Sequence, residues 1–182
     1  MQPSAKYWGL LMRRLIGPLG AGVIACAISA AFTLPASARE MVQFRDNYSA
    51  GTIVVKTSER RLYLVLGNGT ALRYPVGVGK AGKAWAGATF ISGKYWKPAW
   101  SPPAEVKRDK PSLPNLIEGG SPRNPMGVAA LTLAAGEYAI HGTNVPSSIG
   151  GRVSYGCIRM LNQDVTDLYA RVGVGTSVVV TR

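Results

Sequence analysis

The chain contains one histidine, His141, and two cysteines, Cys26 and Cys157. Cys26 sits in an apolar N-terminal stretch, which leaves Cys157 and His141, sixteen residues apart, as the thiol and imidazole available for chemistry. A thiol near its ordinary pKa is mostly protonated at neutral pH, and a neighbouring imidazole that takes the proton yields the thiolate needed to attack a carbonyl. If a thiol works here with a histidine base, no other residues can fill the two roles. Gly156, directly before the thiol, lets backbone approach a substrate closely, and backbone N–H groups near Cys157 are candidates for stabilising an oxyanion. Arg159 lies two residues on; in an extended segment its side chain shares a face with Cys157 and can bind a substrate carboxylate as a bidentate fork. Structural readings stand beside these: a lone Cys as a small buried hydrophobe, a lone His as a satisfied polar group, an Arg near a helix start as a solvated cation. One His and one Cys supply only two of the ligands zinc takes from protein, so no metal is expected.

Export explains why a single thiol would be notable. Lys6, Arg13 and Arg14 precede an apolar run over residues 15–34 that ends in Ala36-Ser37-Ala38, the pattern of a signal peptide cut after Ala38. The alternatives are an uncleaved anchor, since the run approaches a bilayer-spanning length, and lipidation at Cys26, against which the residues after it stay apolar. Cleavage leaves Cys157 as the one thiol, with no internal disulfide available, in an oxidising compartment where a free thiol is a liability. The segment carries three of the 21 basic residues and none of the nine acidic ones, leaving the mature chain at +9. In an exported protein the matching polyanion is the carboxylate-bearing cell wall or an anionic membrane face rather than nucleic acid, general solubility being the plainer explanation.

The elements that would position this chemistry are mostly strands. Thr52-Ile53-Val54-Val55 leads into Arg61-Leu62-Tyr63-Leu64-Val65-Leu66, whose period of two predicts a half-buried strand. Gly67-Asn68-Gly69 then predicts a tight hairpin, with the return strand over residues 71–76 and Pro75 marking an edge or bulge. Seven prolines between Lys94 and Pro125 interrupt every candidate element, so this stretch reads as a long ordered loop, in which Trp96 and Trp100 either line a groove or staple the loop. Strands are expected over 128–133 and 138–140, the latter ending on His141, and over 177–181. A helix is expected from Asn162 as N-cap, with Asp164 in its first turn and Val165, Leu168, Tyr169 and Val172 on one face. The expected fold is mainly β, a mostly antiparallel sandwich or open barrel with a short helix after Cys157, in one domain over residues 51–182 behind a short linker at 39–50.

Ile140-His141-Gly142-Thr143-Asn144, then Ser154-Tyr155-Gly156-Cys157-Ile158-Arg159-Met160 and Asn162-Gln163-Asp164-Val165, resemble the signature of the L,D-transpeptidase (YkuD-like) catalytic domain. The resemblance extends back through the hairpin and the Pro98-Ala99-Trp100-Ser101-Pro102-Pro103 segment, covering most of residues 50–182. It implies a β-rich exported enzyme of cell wall biogenesis, without cofactor, in which Cys157 attacks the L,D peptide bond after the third residue of a peptidoglycan tetrapeptide stem. The terminal D-alanine leaves, and an amine on another stem resolves the thioester into a 3→3 cross-link. Water, giving an L,D-carboxypeptidase, or a lipoprotein lysine are the other acceptors. The resemblance makes His141 the base, gives the Gly142 carbonyl the task of orienting its ring, and matches Ser154 and Gly156 to the motif. Arg159, Tyr155 and Asn144 are the substrate-contact candidates, Asn144 equally a loop tether. Many members carry a second histidine where this chain has Tyr155, so His141 alone is left as a near-neutral side-chain base.

Overall fold

A computed structural model describes residues 39–182; the expected signal segment, with Cys26, lies outside the described residues. The elements are β1 (Glu40–Gln43), β2 (Ile53–Lys56), β3 (Arg61–Gly67), β4 (Thr70–Pro75), β5 (Val78–Gly79), β6 (Gly87–Trp96), α1 (Ala104–Asp109), β7 (Ala129–Leu133), β8 (Ala139–His141), β9 (Arg152–Ser154), β10 (Ile158–Arg159), α2 (Asn162–Arg171) and β11 (Ser177–Thr181). Nine strands form one continuous hydrogen-bonded array in the order β1-β4-β3-β2-β11-β6-β7-β8-β10, and β5 pairs with β9 as a separate ribbon. The fold is mainly β. Most pairs are antiparallel, but β2–β11, β8–β10 and β5–β9 run parallel.

The array turns its corner at β6. Residues from Gly87 to Phe90 pair with β11, and from Ile91 onward the strand pairs with β7 across a register shift at Gly93. Such an irregularity bends a strand and lets it serve two sheets. The main core takes Ile53, Leu62 and Tyr74 from one half, Leu131, Ile140 and Ile158 from the other, and Val165 and Leu168 from α2. Among the described residues no helix is long and apolar enough to cross a membrane.

The β3–β4 hairpin turns on Asn68 (φ 50°) and Gly69 (φ 70°), the two positive angles that a two-residue hairpin of this hand demands. β3 is not half-buried as its alternation predicts. Tyr63 and Val65, on the face opposite Leu62 and Leu64, are also buried, because Phe44 and its flanking residues Val42 and Tyr48 pack over them as a second small core. The segment expected to be linker therefore supplies both this cover and β1, which pairs along β4 from Glu40 to Gln43. Pro75 lies beyond the last β1 partner, at the open end of β4, where its missing N–H costs no ladder bond.

The proline-rich stretch contains one short helix, α1, with Val106 its buried residue. The stretch is held by Asn124, whose Nδ2 donates to the carbonyls of Pro98, Ile117 and Glu118 while its Oδ1 accepts from Met126 N–H. Trp100 and Ile117 exchange backbone hydrogen bonds of 2.8 Å across the loop. α2 differs from expectation at its start: Leu161 occupies the cap position and Asn162 is the first helical residue.

Candidate active site

β10 is clamped on both sides. It pairs in parallel with β8, setting Ile158 opposite Ile140 and Arg159 opposite His141, while Gly77 exchanges two backbone hydrogen bonds with Arg159 on the other edge. Ile140 and Ile158 point into the core, so by strand alternation Cys157, Arg159 and His141 share the opposite face. All three line one cleft of about 470 Å³, the size of pocket that takes a small ligand. Its other walls come from the proline-rich stretch, including Trp100, Val106 and Ile117, and from Tyr138. Trp96 lies elsewhere, exposed and edge-on to Tyr169 of α2.

His141 is 4% exposed, and its Nδ1 lies 2.7 Å from the Gly142 carbonyl. A carbonyl only accepts, so Nδ1 carries the proton and Nε2 keeps its lone pair. Burial, reinforced by the Arg159 guanidinium, depresses the imidazole pKa to about 4, with the Gly142 and Pro125 carbonyls opposing. The ring is neutral at pH 7 and able to accept a proton. Burial raises the Cys157 thiol above its ordinary value; the Ala139 N–H and Arg159 oppose this and Glu137 adds to it. Its Sγ sits 4.0 Å from the Glu137 carbonyl. At rest the pair is thus thiol and neutral imidazole, with Arg159 placed to favour negative charge on either sulfur or substrate. Arg159 is itself half-buried, its Nε has no hydrogen-bond partner among the described residues, and burial lowers its pKa. An unpaired donor on a buried guanidinium beside a thiol is the arrangement that receives a carboxylate or oxyanion.

The turn before Cys157 is built from its own atoms. Ser154 Oγ donates to the Cys157 carbonyl at 2.6 Å and accepts from Gly156 N–H at 3.1 Å. Gly156 N–H and Ser154 Oγ are therefore engaged in shaping and orienting the turn. The Cys157 N–H has no hydrogen-bond partner among the described residues and is the donor left for an oxyanion. Gly156 has φ 123°, and a Cβ there would collide with the Tyr138 ring. Trp85 stacks on Tyr138 (4.9 Å, 8°) and donates from Nε1 to the Gly156 carbonyl at 3.0 Å, locking the turn from outside. Sequence reasoning missed Trp85 and Tyr138, which come from distant segments with no motif to flag them.

Asn162, expected as the N-cap of α2, has another task. Its Oδ1 accepts from Thr143 N–H (3.0 Å) and Val128 N–H (3.3 Å), pinning the loop that follows His141. Gly127 and Gly142 are both glycine because a side chain at either would strike that oxygen. Asn144 lines the cleft and donates weakly to the Pro122 carbonyl at 3.4 Å, tethering the loop as well as facing the cavity. Tyr155 also lines the cleft, but its hydroxyl donates to Asp109 at 2.6 Å and Lys80 Nζ stands 3.8 Å over its ring, so it fastens α1 beside the site.

The profile of the L,D-transpeptidase catalytic domain, YkuD, matches residues 50–180, which include every residue of this cleft. The chain belongs to the L,D-transpeptidase catalytic-domain family. "Probable L,D-transpeptidase YbiS" of Escherichia coli (strain K12) is 39% identical over 135 residues, 69% of this chain and 43% of that protein. "Probable L,D-transpeptidase ErfK/SrfK" of the same organism is 35% identical over 184 residues, 96% of this chain and 56% of that protein. The chain thus spans about half the length of the curated relatives it matches. The solved catalytic domain of the E. faecium L,D-transpeptidase superposes with a TM-score of 0.57 at 17% identity, covering 75% of this chain and 100% of that domain, and shares the fold. In this L,D-transpeptidase domain the β8–β10 pair and its glycine-dependent turn frame the cleft, and the Tyr155–Asp109 contact fastens α1 beside it.

Proposed function

We propose that this chain is an exported peptidoglycan L,D-transpeptidase that works through a Cys157 thioester. One observation carries the reading: Cys157, His141 and Arg159 share one face of the β8–β10 pair on a single cleft, with Nδ1 of His141 tied to the Gly142 carbonyl. Cys157 Sγ attacks the carbonyl of the L,D bond as its proton passes to Nε2 of His141. The tetrahedral oxyanion faces the Cys157 N–H and Arg159, so the positive field there is stronger for the charged intermediate than for the neutral peptide. Collapse breaks the C–N bond, His141 returns its proton to the departing D-alanine amine, and the thioester remains. An amine from a second stem, deprotonated by His141, then attacks the thioester carbonyl and expels the thiol, closing a 3→3 cross-link.

The signal-like segment over residues 1–38 supports export to the cell envelope, and the charge of +9 left after its removal supports attraction to the anionic wall. Incubation with a disaccharide tetrapeptide, followed by mass spectrometry, tests the reading. Cross-linked dimer with release of D-alanine is expected; tripeptide alone would make the protein an L,D-carboxypeptidase and overturn transpeptidation.

A further inference from the structure

Two acidic residues line the cleft, Glu105 and Glu137. Glu105 is engaged by Lys83, whereas the Glu137 carboxylate has neither an ion pair nor a hydrogen bond among the described residues. Residues 39–182 carry a net charge of +9, so cations are in excess, and Glu40, Asp46, Glu59, Asp109 and Asp167 each meet one. Glu137 is left unpaired at the place where charge matters most. Its own carbonyl oxygen is 4.0 Å from Cys157 Sγ, and its carboxylate is near enough to push the thiol pKa up. A negative charge there opposes the thiolate, so it does not serve to activate the nucleophile. An unpaired anion beside a thiol that it disfavours suits a cation that arrives with the substrate.

The backbone that carries Glu137 is held firmly. Leu133 N–H donates to the Tyr138 carbonyl at 2.9 Å, Ala134 N–H to the Phe90 carbonyl at 3.0 Å, and Ala135 N–H to Thr89 Oγ1 at 3.0 Å. Gly136 takes φ 63° just before Glu137, and Tyr138 just after it is stacked on Trp85. The carboxylate is thus offered to the cleft from a preorganised turn.

The acyl-transfer reading supplies the cation. A 3→3 cross-link uses a side-chain amine on the third residue of the acceptor stem, and a donor stem of the same polymer carries that amine too. A lysine-like amine lies about 7 Å from the carbonyl carbon of its own residue, the carbon that Sγ attacks. The Glu137 side chain is about as long, which puts its carboxylate at most about 11 Å from Sγ. The new sulfur–carbon bond, the amine's own length and a hydrogen bond of about 3 Å together cover that span. The donor suits this place better than the acceptor does: a neighbouring carboxylate favours the protonated amine, which is right for a group to be held and wrong for one that must attack.

We propose that Glu137 is a specificity-determining residue that binds the side-chain ammonium of the donor stem's third residue, the residue whose carbonyl Cys157 attacks. The inference rests on the transpeptidase reading of the cleft and deepens it by selecting donors that carry this amine.

The test compares Glu137 with Glu137→Gln against a disaccharide tetrapeptide whose third-residue amine is either free or acetylated. On the Cys157→Ala background, where nothing turns over, titration calorimetry should show the free-amine donor binding about fivefold more tightly than the acetylated one, the worth of an ion pair at a solvent-open rim. Glu137→Gln should abolish that preference by weakening the free-amine donor alone. With Cys157 intact, kcat/KM for D-alanine release should follow the same pattern. Iodoacetamide alkylation of Cys157 should be no slower in Glu137→Gln, since an opposing charge is gone. A preference that is missing with Glu137 present, or that persists in Glu137→Gln, would overturn the proposal. Equal weakening of both donors would overturn it in favour of a merely structural role. Unchanged D-alanine release with a lower yield of cross-linked dimer would overturn it by assigning Glu137 to the acceptor amine. If the chain with Cys157 intact releases no D-alanine from either donor, the transpeptidase reading falls, and the titrations on Cys157→Ala still decide Glu137 separately.

Discussion

The resting charge state of the pair can be read from the pH dependence of Cys157 alkylation. Burial holds the thiol above 9.0, its reference value, and holds His141 down at about 4. A thiol of pKa 9 or more is at most about 1% ionised at pH 7, and that fraction rises tenfold for each pH unit below the pKa. Log rate against pH for iodoacetamide should therefore climb with a slope near one from pH 5 to pH 8, without a plateau. His141→Gln should change these alkylation rates little, because a neutral imidazole contributes almost no thiolate at rest. The same substitution should slow acylation by a β-lactam or a tetrapeptide by about 10²–10⁴, since both need a proton moved in the transition state. A flat alkylation profile between pH 5 and pH 8 that His141→Gln abolishes would refute this reasoning, because it would mean a preformed thiolate–imidazolium pair.

Two further substitutions probe the frame of the site. Asn162→Ala leaves the Thr143 and Val128 N–H groups without their acceptor, and should cost about 2–4 kcal/mol in urea denaturation; a loss under about 1 kcal/mol would mean water replaces the amide. Asp164 is 2% exposed, its Oδ2 has no hydrogen-bond partner among the described residues, and burial raises its pKa to about 6 against an unfolded value of 3.8. Because the folded value is the higher, ionisation opposes folding: the penalty is absent below pH 3.8, grows to pH 6 and is full above it. Asp164→Asn should thus stabilise the protein by about 1–3 kcal/mol at pH 7, and denaturation repeated at pH 4 should show most of that gain gone. His141 runs the other way, its depressed value withdrawing stability as pH falls from 6.5 to about 4, but it does so equally in both proteins and cancels in the difference.

What the sequence made legible were the parts with local signatures. Period two in β3, the Asn68-Gly69 turn, the valine run of β11 and the apolar face of α2 all fall where the residues place them. β6 was missed although it is the longest strand, because its work is to turn a corner: Gly87 and Gly93 sit within it, most of its side chains are exposed, and no apolar alternation survives. α1 was hidden because it is six residues long and begins directly after two prolines. In the site, Cys157, His141 and Arg159 announced themselves through scarcity and spacing. Trp85, Tyr138 and Asn124 did not, since their hydrogen bonds and stacking join segments far apart in sequence. Asn162 shows the limit of a local rule: an Asn at a helix start suggests a cap, yet here tertiary contacts engage its side chain first.

The central claim is that Cys157 is a nucleophile served by His141. Intact-protein mass spectrometry after exposure to a carbapenem, followed by peptide mapping, tests it most directly. The account predicts one covalent adduct per chain, mapped to Cys157, absent in Cys157→Ala and formed far more slowly in His141→Gln. No adduct on the folded wild-type protein, or an adduct that persists in Cys157→Ala, would contradict it.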